Sequence, residues 1–76
     1  MELRQIKYFI KLAEVLNYRS AADQLFMTQP ALSQQILKIE QELNTKLFVR
    51  SHQKVELTPI GHIFYEEALQ IMDQYD

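Results

Sequence analysis

The stretch MTQPALSQQI, residues 27–36, holds no glycine, no acid and no base, and sets a proline, three glutamines, a threonine and a serine among a few apolar residues. Pro30 suits the first turn of a helix, where its missing N–H would have had no intrahelical partner anyway. The residue before a proline resists helical angles, so Gln29 or Thr28 is the expected cap. From there Leu32, Ile36, Ile39 and Leu43 recur at i, i+4, i+7 and i+11, an inward stripe for a helix from about Pro30 to Leu43. Pro30, Ser33, Gln34, Leu37 and Gln41 fall on the other side, with Lys38 at its flank. The free start of this helix is polar yet uncharged, and the rest of the chain has to say what it touches.

Upstream, MELRQIKYFIKLAEVLN carries Leu3, Ile6, Phe9, Ile10 and Ala13 on one helical stripe. Tyr8, Leu12 and Val15 form a second stripe roughly opposite, so this first helix is apolar almost all round. Asn17 is placed to cap a short helix through RSAADQL, whose Ala21 and Ala22 permit close packing, and FMT is a tight connection to the helix already described. Downstream, Asn44 stands where a left-handed helix end is needed. KLFVR and KVELT are β-like runs separated by SHQ, which predicts a small hairpin. Thr58-Pro59 opens a last helix, with a threonine cap and proline at its first position. Ile60, Ile63, Phe64, Ala68, Ile71 and Tyr75 give that helix a broad apolar face. Three helices followed by a hairpin and a further helix is the layout of a winged helix-turn-helix. The expected fold is therefore mainly α: a three-helix core with a β-hairpin wing in residues 1–58, then a long linker helix beginning at 59–76.

Composition narrows the function. With 76 residues, 47% of them apolar, there is material for one small packed domain. The absence of cysteine rules out disulfides and thiolate zinc sites. The opening MELRQIKYFI is charged from its second residue and no apolar run reaches membrane-spanning length, which predicts a cytoplasmic protein with no membrane partner. A net charge of −2 argues at first against nucleic acid, but the charge is polarised. Residues 58–76 hold four acids and no base, whereas the other 57 residues carry a net +2. Within residues 43–55, Lys46, Arg50 and Lys54 occur with no acid.

In a helix-turn-helix the second helix of the motif enters the major groove with its N-terminal residues at base edges. Gln29 and Gln34 can each donate and accept, which suits adenine, while Ser33 can serve several bases. Pro30 and Ala31 offer apolar contact to a thymine methyl, and the helix N-terminus offers free amides and positive potential to phosphate. Arg50, His52 and Lys54 would lay the wing along the backbone or the adjoining minor groove. The competing reading, a capped and solvated helix start, is even with this one on residues 27–36 alone and falls behind once the flanking helix and basic hairpin are counted.

AADQLFMTQPALSQQILKIEQELNTKLFVR followed by VELTPIGHIFYEEA strongly resembles the N-terminal DNA-binding domain of LysR-type transcriptional regulators, over essentially all 76 residues. The resemblance rests on the paired alanines and leucine of the second helix, on QPALS-x-QI, on IE, and on LF-x-R and LT-x-x-G. It implies a bacterial regulator whose final helix pairs with its counterpart in a dimer, and whose small-molecule effector binds a C-terminal part beyond these residues. It places Gln29, Pro30 and Ser33 at base edges, Arg50 and Lys54 on the wing side, and Thr28, Arg19 and Ser20 on the backbone. Gln34 and Leu37 depart from the basic residues often found at those positions, and Asn44 from a frequent glycine.

The expected DNA-binding set is thus Arg19, Ser20, Thr28, Gln29, Pro30, Ser33, Gln34, Lys38, Arg50 and Lys54. Tyr8, Leu12 and Val15 on the first helix could be ordinary core, but they exceed what one core face needs, so a dimer contact is preferred for them; Ile63, Phe64, Ile71, Met72 and Tyr75 on the last helix are the other expected dimer contacts. The expected partner is an operator with two-fold-related half-sites, bound by a homodimer that becomes a dimer or tetramer at full length. No nucleophile–base pair, metal cluster or phosphate-cradling glycine loop is present, so neither enzyme activity nor a cofactor is expected. His52 and His62 read as exposed histidines rather than a metal pair, and Glu66 and Glu67 as a solvated face, since neighbours on a helix point about 100° apart. Gly61 lies in a first helical turn, where glycine costs about 1 kcal/mol relative to alanine; the preferred reading is close approach of another backbone near the wing. The rival function is a helical protein-interaction module using the apolar last helix.

Overall fold

The computed structural model describes residues 1–75 and the side chains as far as Gln74. Helix α1 spans Leu3–Val15, α2 Tyr18–Gln24 and α3 Gln29–Leu43; the hairpin strands β1 (Phe48–Ser51) and β2 (Lys54–Leu57) follow, then α4, Pro59–Tyr75. This is the winged helix-turn-helix expected from the sequence, and the capping chemistry explains its boundaries. Asn17 Oδ1 accepts from the Ser20 amide at 2.9 Å, and Thr28 Oγ1 accepts from the Ala31 amide at 3.2 Å. Asn44 ends α3 in the left-handed region at φ 53°, ψ 43°. Leu16 ends α1 the same way at φ 55°, which no glycine or asparagine signalled. The strands pair antiparallel with Phe48 opposite Leu57 and Ser51 opposite Lys54, so the turn is the two residues His52-Gln53 rather than three. Both have positive φ, 51° and 64°, as a two-residue hairpin turn of the primed type demands.

The core forms where α1, α2 and α3 meet the lead into β1. Phe9, Leu12, Leu32, Ile36, Ile39 and Leu47 are fully buried, and Ala21 and Ala22 let α2 approach closely. Phe9 is the hub. Its ring lies 5.3 Å from that of Phe48 and 4.8 Å, edge to face, from that of Phe64. The burial of Leu12 corrects one expectation: with none of its surface exposed, it is a core residue and cannot meet a partner. The reason is topological, because α1 packs on α2, α3 and α4 together and so is apolar on more than one side. Tyr8 and Val15 are half-buried against the same core. Leu43, expected to face inward, is 38% exposed at the end of α3.

The wing is fixed to the helices by polar groups. Glu40 Oε2, on α3, accepts from the backbone amides of Leu47 at 2.8 Å and Phe48 at 3.2 Å. Thr58 joins three segments: its hydroxyl donates to the Lys46 carbonyl at 2.7 Å and accepts from the Gly61 amide at 2.9 Å, and its amide donates to the Leu47 carbonyl at 3.0 Å. Gly61 is buried beneath that crossing, and a Cβ there would collide with the Leu47 carbonyl oxygen and press on Leu57 Cδ2 at 3.1 Å. The backbone approach expected at Gly61 is what the structure contains.

Two substitutions test this joint. Gly61→Ala should destabilise the domain by roughly 1–3 kcal/mol despite its better helix propensity, because the obstacle is backbone. Glu40→Ala should cost about 1–3 kcal/mol by stranding two amides. Urea denaturation monitored by circular dichroism checks both, and a Gly61→Ala domain as stable as the parent would contradict the packing described.

Candidate nucleic-acid interface

The stripe of α3 turned from the core presents Pro30, Gln34, Leu37 and Gln41 as exposed residues, with Ser33 half-buried among them and Lys38 exposed at the edge. These positions share a face because they recur at three and four residues. No acid occurs from Gln24 to Ile39, so Ser33 and Gln34 at the start of this face have no acid beside them in sequence, whereas Gln41 lies between Glu40 and Glu42. Thr28 does two things at once: its oxygen caps α3, and its hydroxyl proton remains available to a phosphate. The supply of free helix-start amides is smaller than expected, however. Pro30 has none, and that of Ala31 is taken by Thr28. Ser20 is similar, with its amide bound to Asn17 and its side chain exposed beside the exposed Arg19.

Gln29 lies off that stripe, in a groove shared with Asn17, Tyr18, Arg19, Arg50 and Gln53. The groove brings the starts of α2 and α3 against the wing, and no carboxylate lines it. Arg50 reaches it because of strand register. It pairs with Val55 and alternates with Val49 and Ser51, so its side chain shares the inner face of the hairpin with Phe48. Lys54, paired with Ser51, is on the outer face. The two wing cations therefore serve different surfaces, a distinction the sequence alone did not draw.

Tyr18 was not singled out from the sequence. The Arg50 guanidinium carbon lies 4.6 Å from the centroid of its ring, within cation–π range. Half-burial raises the Tyr18 hydroxyl pKa above its usual 10, the Glu40 carboxylate raises it further, and the Arg50 charge opposes both. The phenol is neutral through the physiological range. The signal was present in the alternation of LFVR, which turns Arg50 inward with Phe48, but the aromatic that meets it is distant in sequence.

The side chains expected at a dimer contact divide into two groups. Ile63 and Ile71 are exposed on α4, at 61% and 40%, while Met72 and Phe64 are half-buried and Phe64 also packs on Phe9. The Tyr75 side chain lies outside the described residues. A mostly apolar groove lined by Leu43, Leu47, Ile60, Ile63 and Phe64, with Thr45 and Glu67 also in its wall, runs beside α4. His52 and His62 are both exposed, and among the described residues no three potential metal ligands converge. No described helix is long and apolar enough to cross a membrane.

Comparison with known proteins agrees with this geometry. The family model for bacterial regulatory helix-turn-helix proteins of the lysR family matches residues 3–62. The chain is 41% identical over 76 residues to the transcriptional regulator BenM of Acinetobacter baylyi, covering all of this chain and 25% of that protein. It is 44% identical over 73 residues to the transcriptional regulator TcbR of a Pseudomonas species, strain P51, covering 96% of this chain and 25% of that protein. It thus spans about a quarter of the length of these curated relatives. Among solved structures, the BenM DNA-binding domain in complex with benA site 1 DNA matches with a TM-score of 0.95 at 41% identity, over 100% of this chain and 85% of that one. The CbnR DNA-binding domain in complex with DNA matches with a TM-score of 0.92 at 43% identity, over 99% and 86%. The order of its elements, the capped third helix and the family model agree: the chain belongs to the LysR family of bacterial regulatory helix-turn-helix proteins.

Proposed function

We propose that this chain is the DNA-binding part of a bacterial transcriptional regulator, residues 1–58 reading duplex DNA and residues 59–76 beginning a linker helix that pairs two copies on an operator with two-fold-related half-sites. The observation that carries the reading is the exposed face of α3, free of acids as far as Ile39, beside a groove that holds Arg19 and Arg50. In this reading α3 lies in the major groove, with Gln29, Pro30, Ser33 and Gln34 toward base edges. Arg19, Ser20, Thr28, Lys38, Arg50 and Lys54 hold the backbone. The chain acts by binding and not by catalysis, in the bacterial cytoplasm, and an effector acts through a C-terminal domain of the full-length dimer or tetramer. The apolar groove beside α4 and the exposed Ile63 and Ile71 support the dimer. They also favour the second reading, a protein-interaction module. Titration of duplex DNA at two salt concentrations separates the two, because phosphate contacts release counterions and make DNA binding steeply salt-dependent, whereas a protein module has no DNA affinity to lose.

Reading and holding are separable by mutation. Gln29→Ala should cost about 1–3 kcal/mol on the best site and much less on random DNA. Lys54→Ala should weaken both by a similar factor and flatten the salt slope by about one unit. Identical patterns for the two variants, measured by fluorescence anisotropy, would show one of them misassigned. Gln34→Arg and Leu37→Arg should each steepen the slope by about one unit if the new cation meets a phosphate. For assembly, Ile63→Glu should shift a sedimenting dimer toward monomer, since it puts a charge into the apolar contact. A parent chain that is strictly monomeric at millimolar concentration, and also when bound to DNA, would rule the dimer out.

A further inference from the structure

We propose that Tyr18 is a positioning residue for DNA binding, its ring holding the Arg50 guanidinium in the groove between helix-turn-helix and wing so that Arg50 and Arg19 present one site to a single backbone phosphate. The inference rests on the DNA-binding reading above and adds a residue to it.

Four observations converge. The hairpin register turns Arg50 toward the helices and away from Lys54, so its charge is not part of the wing's outer surface. The guanidinium carbon lies over the Tyr18 ring, 4.6 Å from its centroid, a contact with the π face that needs no hydrogen-bond acceptor. Among the described residues no carboxylate pairs with Arg50. The nearby Glu40 carboxylate is engaged, its Oε2 accepting two wing amides. Finally, Arg50 lines the same groove as Arg19, Asn17 and Gln29, a set of donors with no acid among them. An arginine on an exposed strand ordinarily samples many rotamers and loses that freedom on binding. One held over a half-buried ring is positioned before DNA arrives, which is why an aromatic that touches no phosphate contributes to affinity. Tyr18 is itself fixed by its place in the first turn of α2, behind the Asn17 cap, and by packing on the core.

The test is a double-mutant cycle on the whole chain, read as DNA affinity and salt slope on a selected site and on random duplex. Tyr18→Phe should bind as the parent does, because the ring remains. Tyr18→Leu should weaken both DNAs by about fivefold. In an Arg50→Ala background the same Tyr18→Leu change should have no further effect, since nothing is left to position. Equal losses with and without Arg50 would make Tyr18 merely structural and overturn the proposal. So would a Tyr18→Phe defect as large as that of Tyr18→Leu, or no loss in Tyr18→Leu. Should Tyr18→Leu not fold by thermal melting, Arg50→Lys decides. It keeps the charge but not the planar stacked fork, so its affinity should fall toward that of Arg50→Ala, and affinity equal to the parent overturns the proposal. A parent chain that binds no duplex at all overturns the DNA-binding reading as well, an outcome distinct from binding that ignores Tyr18.

Discussion

The first turn of α4 crosses the lead into β1 at backbone contact, and the geometry of the wing depends on that crossing. Leu47 is buried there, its carbonyl accepts from the Thr58 amide, and Gly61 passes over that same carbonyl with no room for a side chain. On the other side, Glu40 takes the Leu47 and Phe48 amides, so the strand enters with its polar groups satisfied by a helix before it and a turn after it. Phe48 and Phe64 are then both delivered to the ring of Phe9, one from the wing and one from α4. The hairpin has only two strands and would be marginal alone. Its stability and its angle to α3 are borrowed from this joint.

How much of this could be read from the sequence follows from the range of each interaction. Caps are local, so Asn17, Thr28, Asn44 and Thr58 announced the helix boundaries, and a single glycine in a helical turn announced a close crossing. Periodicity placed Leu32, Ile36 and Ile39 in the core. It failed for Leu12, because a second apolar stripe looks the same whether it meets a neighbouring helix of the same chain or a partner. Only the tertiary arrangement, with α1 packed on three other helices, distinguishes the two. In the site, the face of α3 was legible, while the division between Arg50 and Lys54 required the hairpin register and the stack on Tyr18 required a contact between positions 32 residues apart.

Positive φ at Leu16, Phe26, His52 and Gln53 is a cost that the sequence conceals. Each such residue pays on the order of 1 kcal/mol for a conformation glycine would adopt freely. Three of the four sit at junctions that frame the candidate interface: Phe26 between α2 and α3, His52 and Gln53 at the wing tip. The surroundings hold them there. At the first junction the Met27 amide donates to the Ala22 carbonyl at 2.9 Å and the Phe26 amide to that of Asp23 at 3.2 Å, which closes the turn with Phe26 almost wholly exposed. At the wing tip the paired strands on either side impose the turn.

The formal charge of −2 and a candidate groove lined by no carboxylate are compatible because the acids lie elsewhere on the surface. Glu66, Glu67 and Asp73 are exposed along α4, whereas Arg19, Lys38, Arg50 and Lys54 are carried by α2, α3 and the wing. Screening shortens the reach of exposed charges to about 8 Å at physiological salt, so charges beyond that distance contribute little to the potential at the groove. What remains is an asymmetry of net charge rather than a strict segregation: the described part of α4 carries three exposed acids and no lysine or arginine, while α2, α3 and the wing carry Arg19, Lys38, Arg50 and Lys54 together with the exposed Asp23, Glu42 and Glu56. The uncharged start of α3 fits that division of labour. In the proposed reading, arginine and lysine outside the stripe supply attraction that any duplex satisfies, and the glutamines and serine within it supply hydrogen bonds that only particular base edges satisfy. In that reading a face without fixed charge gains little from a wrong sequence, which is how a domain of low net charge can still be selective.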